Sequence, residues 1–156
     1  MMKHLASIEN GNLFAMGASR NITNTHSLLN FVKWSEAGEV PFLQSLDIGV
    51  MPLNNSPWAK GKCGYKLIQY MACGLPVVAS PVGVNKDIVD HGINGFLVET
   101  NEEWYNAIKR LMNNQDLRHK MGYAGREKIK NQYSLKVWGP RVSRILQSVL
   151  EERVSQ

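Results

Sequence analysis

With 156 residues, 44% of them apolar and 20% charged, the chain has the size and composition of one globular domain with a real core, which excludes a disordered or fibrous protein. No apolar run approaches the roughly 20 residues of a membrane span, and the first 30 residues lack a basic start followed by an apolar block, so no secretion signal is expected. The net charge of +5 is uneven: residues 1–100 hold seven basic and seven acidic side chains, and residues 101–156 hold eleven against six.

A basic tail suits an anionic partner such as nucleic acid, acidic lipid or a polyphosphate, and equally suits a solvated helix face. No zinc-ligand cluster, recognition-helix signature or aromatic RNA platform accompanies it, so nucleic acid is not an expected partner. Cys63 and Cys73 flank one predicted helix, about 15 Å apart at ~1.5 Å per residue, too far for a disulfide. They read as reduced thiols of a cytoplasmic protein. His4, His26, His91 and His119 are scattered and receive no role; no metal or other cofactor is expected.

In chain order, residues 1–11 are weakly patterned and Asn12–Gly17 reads as a short buried strand. Residues 18–27 are polar, and Leu28–Lys33 is a second strand candidate ended by Trp34-Ser35. Ser35 can cap a helix with Glu36 and Glu39 near its positive end. An interior Pro41 costs roughly 3 kcal/mol, so that helix is expected to be short, kinked or to begin later than Ser35. Asp47–Leu53 is a strand leading into a polar, turn-rich segment, Asn54–Trp58.

Next comes a Gly- and Lys-rich turn, Lys60-Gly61-Lys62-Cys63-Gly64, then a helix to Cys73 stopped by Gly74-Leu75-Pro76, then a strand ending Val77-Val78-Ala79. On an ideal helix Leu67, Ile68, Met71 and Ala72 share the face expected to pack on the sheet, with Lys66, Gln69, Tyr70 and Cys73 opposite. Pro81-Val82-Gly83 is a loop, Asn85–Asp90 a short helix with Asn85 and Asp87 as capping and surface residues, and Phe96–Val98 the last strand. Three helices follow, with apolar faces Trp104/Ala107/Ile108/Leu111/Met112, Leu117/Met121/Ala124/Ile129 and Trp138/Val142/Ile145/Leu146/Val149, all read as core.

Mostly apolar strands alternating with helices imply an α/β fold, a Rossmann-like parallel sheet with helices on both faces. Ligands of such sheets bind beyond the carboxyl ends of the strands. The segments after Gly17, Lys33, Leu53 and Ser80 are therefore expected on one rim. Gly61 and Gly64 let a ligand approach the backbone, and first-turn N–H groups attract a phosphate. Neither a P-loop nor a dinucleotide fingerprint is present, and the loop alone fits a plain helix-start turn as well as a phosphate site.

The wider pattern is more specific. Residues 47–98, DIGVMPLNNSPWAKGKCGYKLIQYMACGLPVVASPVGVNKDIVDHGINGFLV, resemble the carboxy-terminal, donor-binding domain of GT-B, group 1 retaining glycosyltransferases. The resemblance extends up to Phe31–Ser35 and down to Tyr133-Ser134-Leu135, over roughly residues 28–150. It implies a nucleotide-sugar donor whose diphosphate sits at the helix start, with Gly61, Lys62, Cys63, Gly64, Tyr65, Lys66 and Gln69 as donor-binding residues. It also implies Lys33, Trp34 and Ser35 near the nucleobase, with Asn54, Pro81 and Gly83 on the cleft rim; Trp34 reads equally as a lid on the sheet edge.

Two departures stand out. The family usually carries two glutamates eight apart, for the donor sugar and the ribose; Gly61 and Gln69 occupy those positions here. Gln69 can still bond hydroxyls through its amide, whereas Gly61 has no side chain to offer. The resemblance also implies an earlier strand–helix unit, with an Arg and a Lys for the diphosphate, and a whole amino-terminal acceptor domain. Neither is in the sequence, and Arg20 is out of context as a substitute.

The expected organisation is therefore a remnant of the domain's start over 1–27, a nucleotide-sugar-binding domain over 28–134 and a C-terminal helix over 135–156. The expected function is sugar transfer to a glycan or lipid-linked acceptor, with little activity from this chain alone. A separate amino-terminal half and an acidic membrane surface are candidate partners, and the expected location is cytoplasmic or peripheral on the cytoplasmic membrane face. A non-catalytic nucleotide-binding or interaction module is the alternative; another GT-B enzyme, such as a sugar-nucleotide epimerase, fits the 47–98 pattern less well.

Overall fold

The computed structural model describes residues 11–18 and 28–154. Arg20, His4, His26 and most of the 1–27 segment lie outside the described residues. β1 (Leu13–Met16) and β2 (Leu29–Val32) pair in parallel, Leu13 opposite Leu29 and Met16 opposite Val32. β3 (Gly49–Met51), β4 (Val77–Ala79) and β5 (Gly95–Leu97) form a second parallel sheet in that order.

One continuous sheet was the expectation; the described strands form two. Between β1 and β3 lies a cavity of about 290 Å³, lined by Leu13, Phe14, Ile48, Val50, Tyr70 and Ile108 among others. No described strand bridges the two sheets there.

Successive side chains of a strand point to opposite faces, and β4 feeds two cores in this way. Val78 joins Phe96, Val98, Met121 and the α5 (Asn101–Met112) residues Trp104, Ala107, Ile108 and Leu111. Val77 and Ala79 join Leu67 and Met71 of α3 (Tyr65–Ala72), Ile88 of α4 (Asn85–Ile88), Val89, and Ile129 of α6 (Gln115–Gln132). Leu67, Met71, Val77, Val78 and Leu111 are fully buried, each such side chain stabilising by roughly 1.5–3 kcal/mol.

The local signals act largely as their chemistry requires. α1 (Glu36–Gln44) starts at Ser35, whose Oγ accepts the Gly38 N–H at 3.2 Å. The helix neither shifts nor stops at Pro41, which is exposed, so the carbonyl it leaves unbonded can reach water. α5 opens with a full capping box between Thr100 and Glu103.

Four expectations are corrected. Ser56 caps a one-turn helix, α2 (Pro57–Lys60), within the segment read as turn-rich, with Pro57 at its first position. Ala72 is exposed, and Tyr70 takes the sheet contact instead, its ring lying where a side chain on Gly49 would project. Asn85 is 1% exposed rather than a surface residue; its Nδ2 donates to the Ser80 carbonyl at 2.9 Å, tying the loop after β4 to α4.

The apolar stripe of α7 (Leu135–Val154) is the fourth: Trp138, Val142, Ile145, Leu146 and Val149 are all exposed, Leu146 by 61%. Helical periodicity reports that one face is apolar, not that anything described covers it.

Candidate functional site

The loop from α2 to α3 is built by two glycines with different geometry. Gly61 closes α2 in an ordinary right-handed conformation, φ −77°. Gly64 is left-handed, φ 68°, and begins α3 with no side-chain cap. Leu67 and Ile68 return their N–H groups to the Gly64 carbonyl, while those of Tyr65 and Lys66 have no partner inside the helix. A helix start left open in this way attracts anions through its N–H groups and dipole.

The rim around it is tightly joined. Gly83 comes so close to Lys60 that a Cβ there would lie 2.7 Å from the Lys60 carbonyl oxygen. Gly64 packs against Val84 and Ile88. Leu53 N–H donates to Ser80 Oγ at 2.9 Å, coupling the ends of β3 and β4. Asn54, exposed, receives a bond from Ser56 Oγ at 3.1 Å, and Pro81 lies half-buried beside Ser80.

Lys33, Trp34 and Ser35 follow β2 at the entrance to α1, all exposed, with Trp34 Cβ against Gly17. Thus Gly17 meets the segment after Lys33, and the segments after Leu53 and Ser80 meet the helix start; residues 19–27 lie outside the described residues. α1 and α3 connect the two groups: Lys66 Nζ lies 2.7 Å from Glu39 Oε1 and 2.8 Å from Gln69 Oε1.

Of the loop lysines, Lys66 is therefore committed to Glu39 and Gln69. Lys62 rests its ammonium 4.3 Å from the centroid of the exposed Trp58 ring, a cation–π contact. Lys60 is exposed at the end of α2. Cys63 is exposed, and burial raises the Cys73 thiol above its usual range.

Sequence reading missed two residues. Glu39 was read only as an acid near a helix start; its partner Lys66 lies 27 residues away, beyond any local signal. Its carboxyl is held below the usual carboxylate range, chiefly by the Lys66 ammonium hydrogen-bonded to it at 2.7 Å. His91 is a structural residue: its Nδ1 accepts the Leu97 N–H at 3.2 Å, and its ring meets Phe96 edge-on.

A lowered folded-state value means Glu39 contributes stability above the ordinary carboxylate range that is lost as pH falls through the folded value. Glu39→Gln is expected to flatten the acid limb of the stability–pH curve, leaving a smaller drop between pH ~5 and ~3. Urea midpoints across that range check it; an unchanged limb would refute the ion pair.

Parallel strands with helices on both faces of the β3-β4-β5 sheet, and an open helix start at the strands' carboxyl rim, define a Rossmann-like domain. A family model described as glycosyl transferases group 1 matches residues 9–128, and the chain belongs to that family. The match begins ahead of the resemblance at 28–150 and ends before α7.

The capsular polysaccharide biosynthesis glycosyltransferase CapM of Staphylococcus aureus is 25% identical over 115 residues, 72% of this chain and 29% of that protein. Sucrose-phosphate synthase from Thermosynechococcus elongatus superposes with a TM-score of 0.82 at 20% identity, over 96% of this chain and 41% of that one. Anabaena HepE, in complex with UDP and glucose, gives 0.67 at 21% identity, over 79% and 33%. The chain spans less than half the length of each, and the fold is that of a GT-B carboxy-terminal domain. Among the described residues no helix is long and apolar enough to cross a membrane.

Proposed function

We propose that this chain is the donor-binding side of a retaining glycosyltransferase. It holds a nucleotide sugar with the diphosphate against the start of α3, at Gly61–Lys66, and Gln69 one turn in. The nucleobase lies by Lys33, Trp34 and Ser35, with Asn54, Pro81 and Gly83 along the rim. The observation that carries this reading is the uncapped, left-handed Gly64 start of α3, packed where the loops after β3 and β4 converge. Family membership and the UDP named for HepE support it.

Lys66 serves here through its backbone N–H, since its side chain is engaged by Glu39. That leaves Lys60, Lys62 and the helix dipole to offset the charge of a leaving diphosphate. Transfer also needs a second wall to bring the acceptor in. No metal is assigned. A separate amino-terminal half supplies that wall and the choice of glycan or lipid-linked acceptor. The uncovered α7 stripe offers that half, or an acidic membrane surface, an apolar face to dock on.

Calorimetric titration with nucleoside diphosphates, alongside a turnover assay, tests the reading. The chain alone is expected to bind one nucleoside diphosphate weakly and to transfer no sugar; turnover should appear only with an amino-terminal half. Ordinary turnover by the chain alone overturns the dependence on a partner, and no binding at millimolar ligand overturns the donor site. The second reading, a non-catalytic binding module, draws on Gly61, which places no side chain on the site. Binding without turnover in the presence of the other half would establish it.

A further inference from the structure

The β1-β2 and β3-β4-β5 sheets each end on an open edge, and both edges border the same cavity. The ladder bonds fix which groups face it. Leu13 N–H goes to the Leu28 carbonyl and Gly17 N–H to that of Val32, so the odd-numbered residues of β1 bond β2. Gly49 N–H goes to the Pro76 carbonyl and Ser80 N–H to that of Met51, so the odd-numbered residues of β3 bond β4. Alternate residues of a parallel strand bond opposite neighbours. The N–H and C=O groups of Phe14 and Val50 therefore point away from their ladders, and both residues line the cavity. Among the described residues no hydrogen bond reaches those groups.

The walls define what would fill the gap. Ile108 and Met112 of α5 close one face, and Tyr70 of α3 closes the other. At about 290 Å³ the space far exceeds the small voids of a native interior. A lipid chain would occupy it and leave buried backbone groups unpaired, which is costly. A polypeptide strand occupies it and pairs them. Covered on both faces, that strand must be apolar at successive positions. Residues 11–14, running into β1, and residues 45–48, running into β3, line the same cavity. Both edges thus start at one end, away from the carboxyl rim that carries the start of α3, and a strand between them can run parallel to both.

We propose that this gap is a strand-accepting slot: an apolar strand of another polypeptide inserts between β1 and β3, pairs with both edges and joins the two sheets. More than half the length of each relative above lies outside this chain. The separate amino-terminal half is the polypeptide that brings the strand, a source that rests on the reading under which that half exists.

Residue-resolved amide hydrogen exchange on the whole chain tests the slot. Alone, the Ala15 and Met51 amides should exchange slowly and those of Phe14 and Val50 fast. A peptide of alternating valine and isoleucine with paired lysines at its ends, at millimolar concentration, should slow Phe14 and Val50 by about tenfold, the worth of a backbone bond. The same peptide with proline at alternate positions lacks the donors and should not. Val50→Pro removes a slot-facing N–H and no bond to β4, and should weaken the peptide by about tenfold. Should that variant fold poorly in a melt, Met112→Trp, which fills the slot, should exclude the peptide instead.

Slow exchange at Phe14 and Val50 in the chain alone overturns the proposal, as does no slowing by the peptide. Protection that rises with chain concentration makes the occupant a second copy, and equal protection by decanoate makes it a lipid; either result overturns it too. An amino-terminal half that restores turnover while both amides stay fast overturns the source. Loss of nucleoside diphosphate binding with the slot intact removes the donor site alone.

Discussion

Gly122→Ala is expected to destabilise the domain by about 3 kcal/mol, at the upper end of overpacking costs. The sign is the informative part, because alanine in place of glycine inside a helix normally gains up to ~1 kcal/mol. A Cβ on Gly122 would overlap the Gly74 carbonyl oxygen and come within 2.9 Å of its carbon. Neither side can yield cheaply. Gly74 is left-handed, φ 82°, and the Leu75 N–H returns to the Tyr70 carbonyl at 3.0 Å, so the turn is fixed to the end of α3.

Moving α6 instead would withdraw Met121 and Ile129 from their cores and loosen Gly125 against Met71. Gly139→Ala in α7 is the control, since a Cβ there meets nothing within 4 Å; it should be neutral or stabilising. Urea midpoints at constant m-value compare the two. If Gly122→Ala proves as stable as Gly139→Ala, the close approach of α6 to the α3 turn is wrong.

That contact also marks where sequence reading stops. The α3–β4 unit was legible because its period, its Gly74 stop and its apolar strand all point the same way. α5 was legible for the same reason, with Trp104, Ala107, Ile108 and Leu111 all buried as their spacing required. Gly122 and Gly125 in α6 carry no such signal, since a missing side chain announces nothing about the backbone it admits. Glu39 and Asn85 failed differently. Polar side chains carry no periodicity, so their partners, 27 residues away at Lys66 and on the Ser80 carbonyl, appear only once the chain is folded. α2 had a usable signal, Ser56 before Pro57, but a single turn is too short to show a period.

The two glycines of the α2–α3 loop, Gly61 and Gly64, should respond differently. Gly64→Ala is expected to cost about 2–4 kcal/mol, combining ~1–2 kcal/mol for a left-handed alanine with overpacking. Its Cβ would collide with Ile88 Cδ1 and stand 3.2 Å from Val84 Cγ2. Because the strain falls on the first residue before α3, nucleoside diphosphate affinity should drop with it, by about tenfold or more, the worth of a charge-assisted bond. Gly61→Ala should change neither quantity, since Gly61 is right-handed and its nearest neighbour, the Trp58 carbonyl oxygen, lies 3.6 Å from the Cβ position.

That freedom makes Gly61→Glu the sharper experiment. The backbone accepts the longer side chain, which restores a carboxylate at the position the resemblance assigns to the donor sugar. Affinity for a nucleotide sugar should rise by about tenfold while that for the bare diphosphate stays level. A melt and two titrations on each variant decide the matter. Equal loss from Gly61→Ala and Gly64→Ala would show that the loop is not anchored as described, and a Gly61→Glu protein blind to the sugar would place the sugar elsewhere.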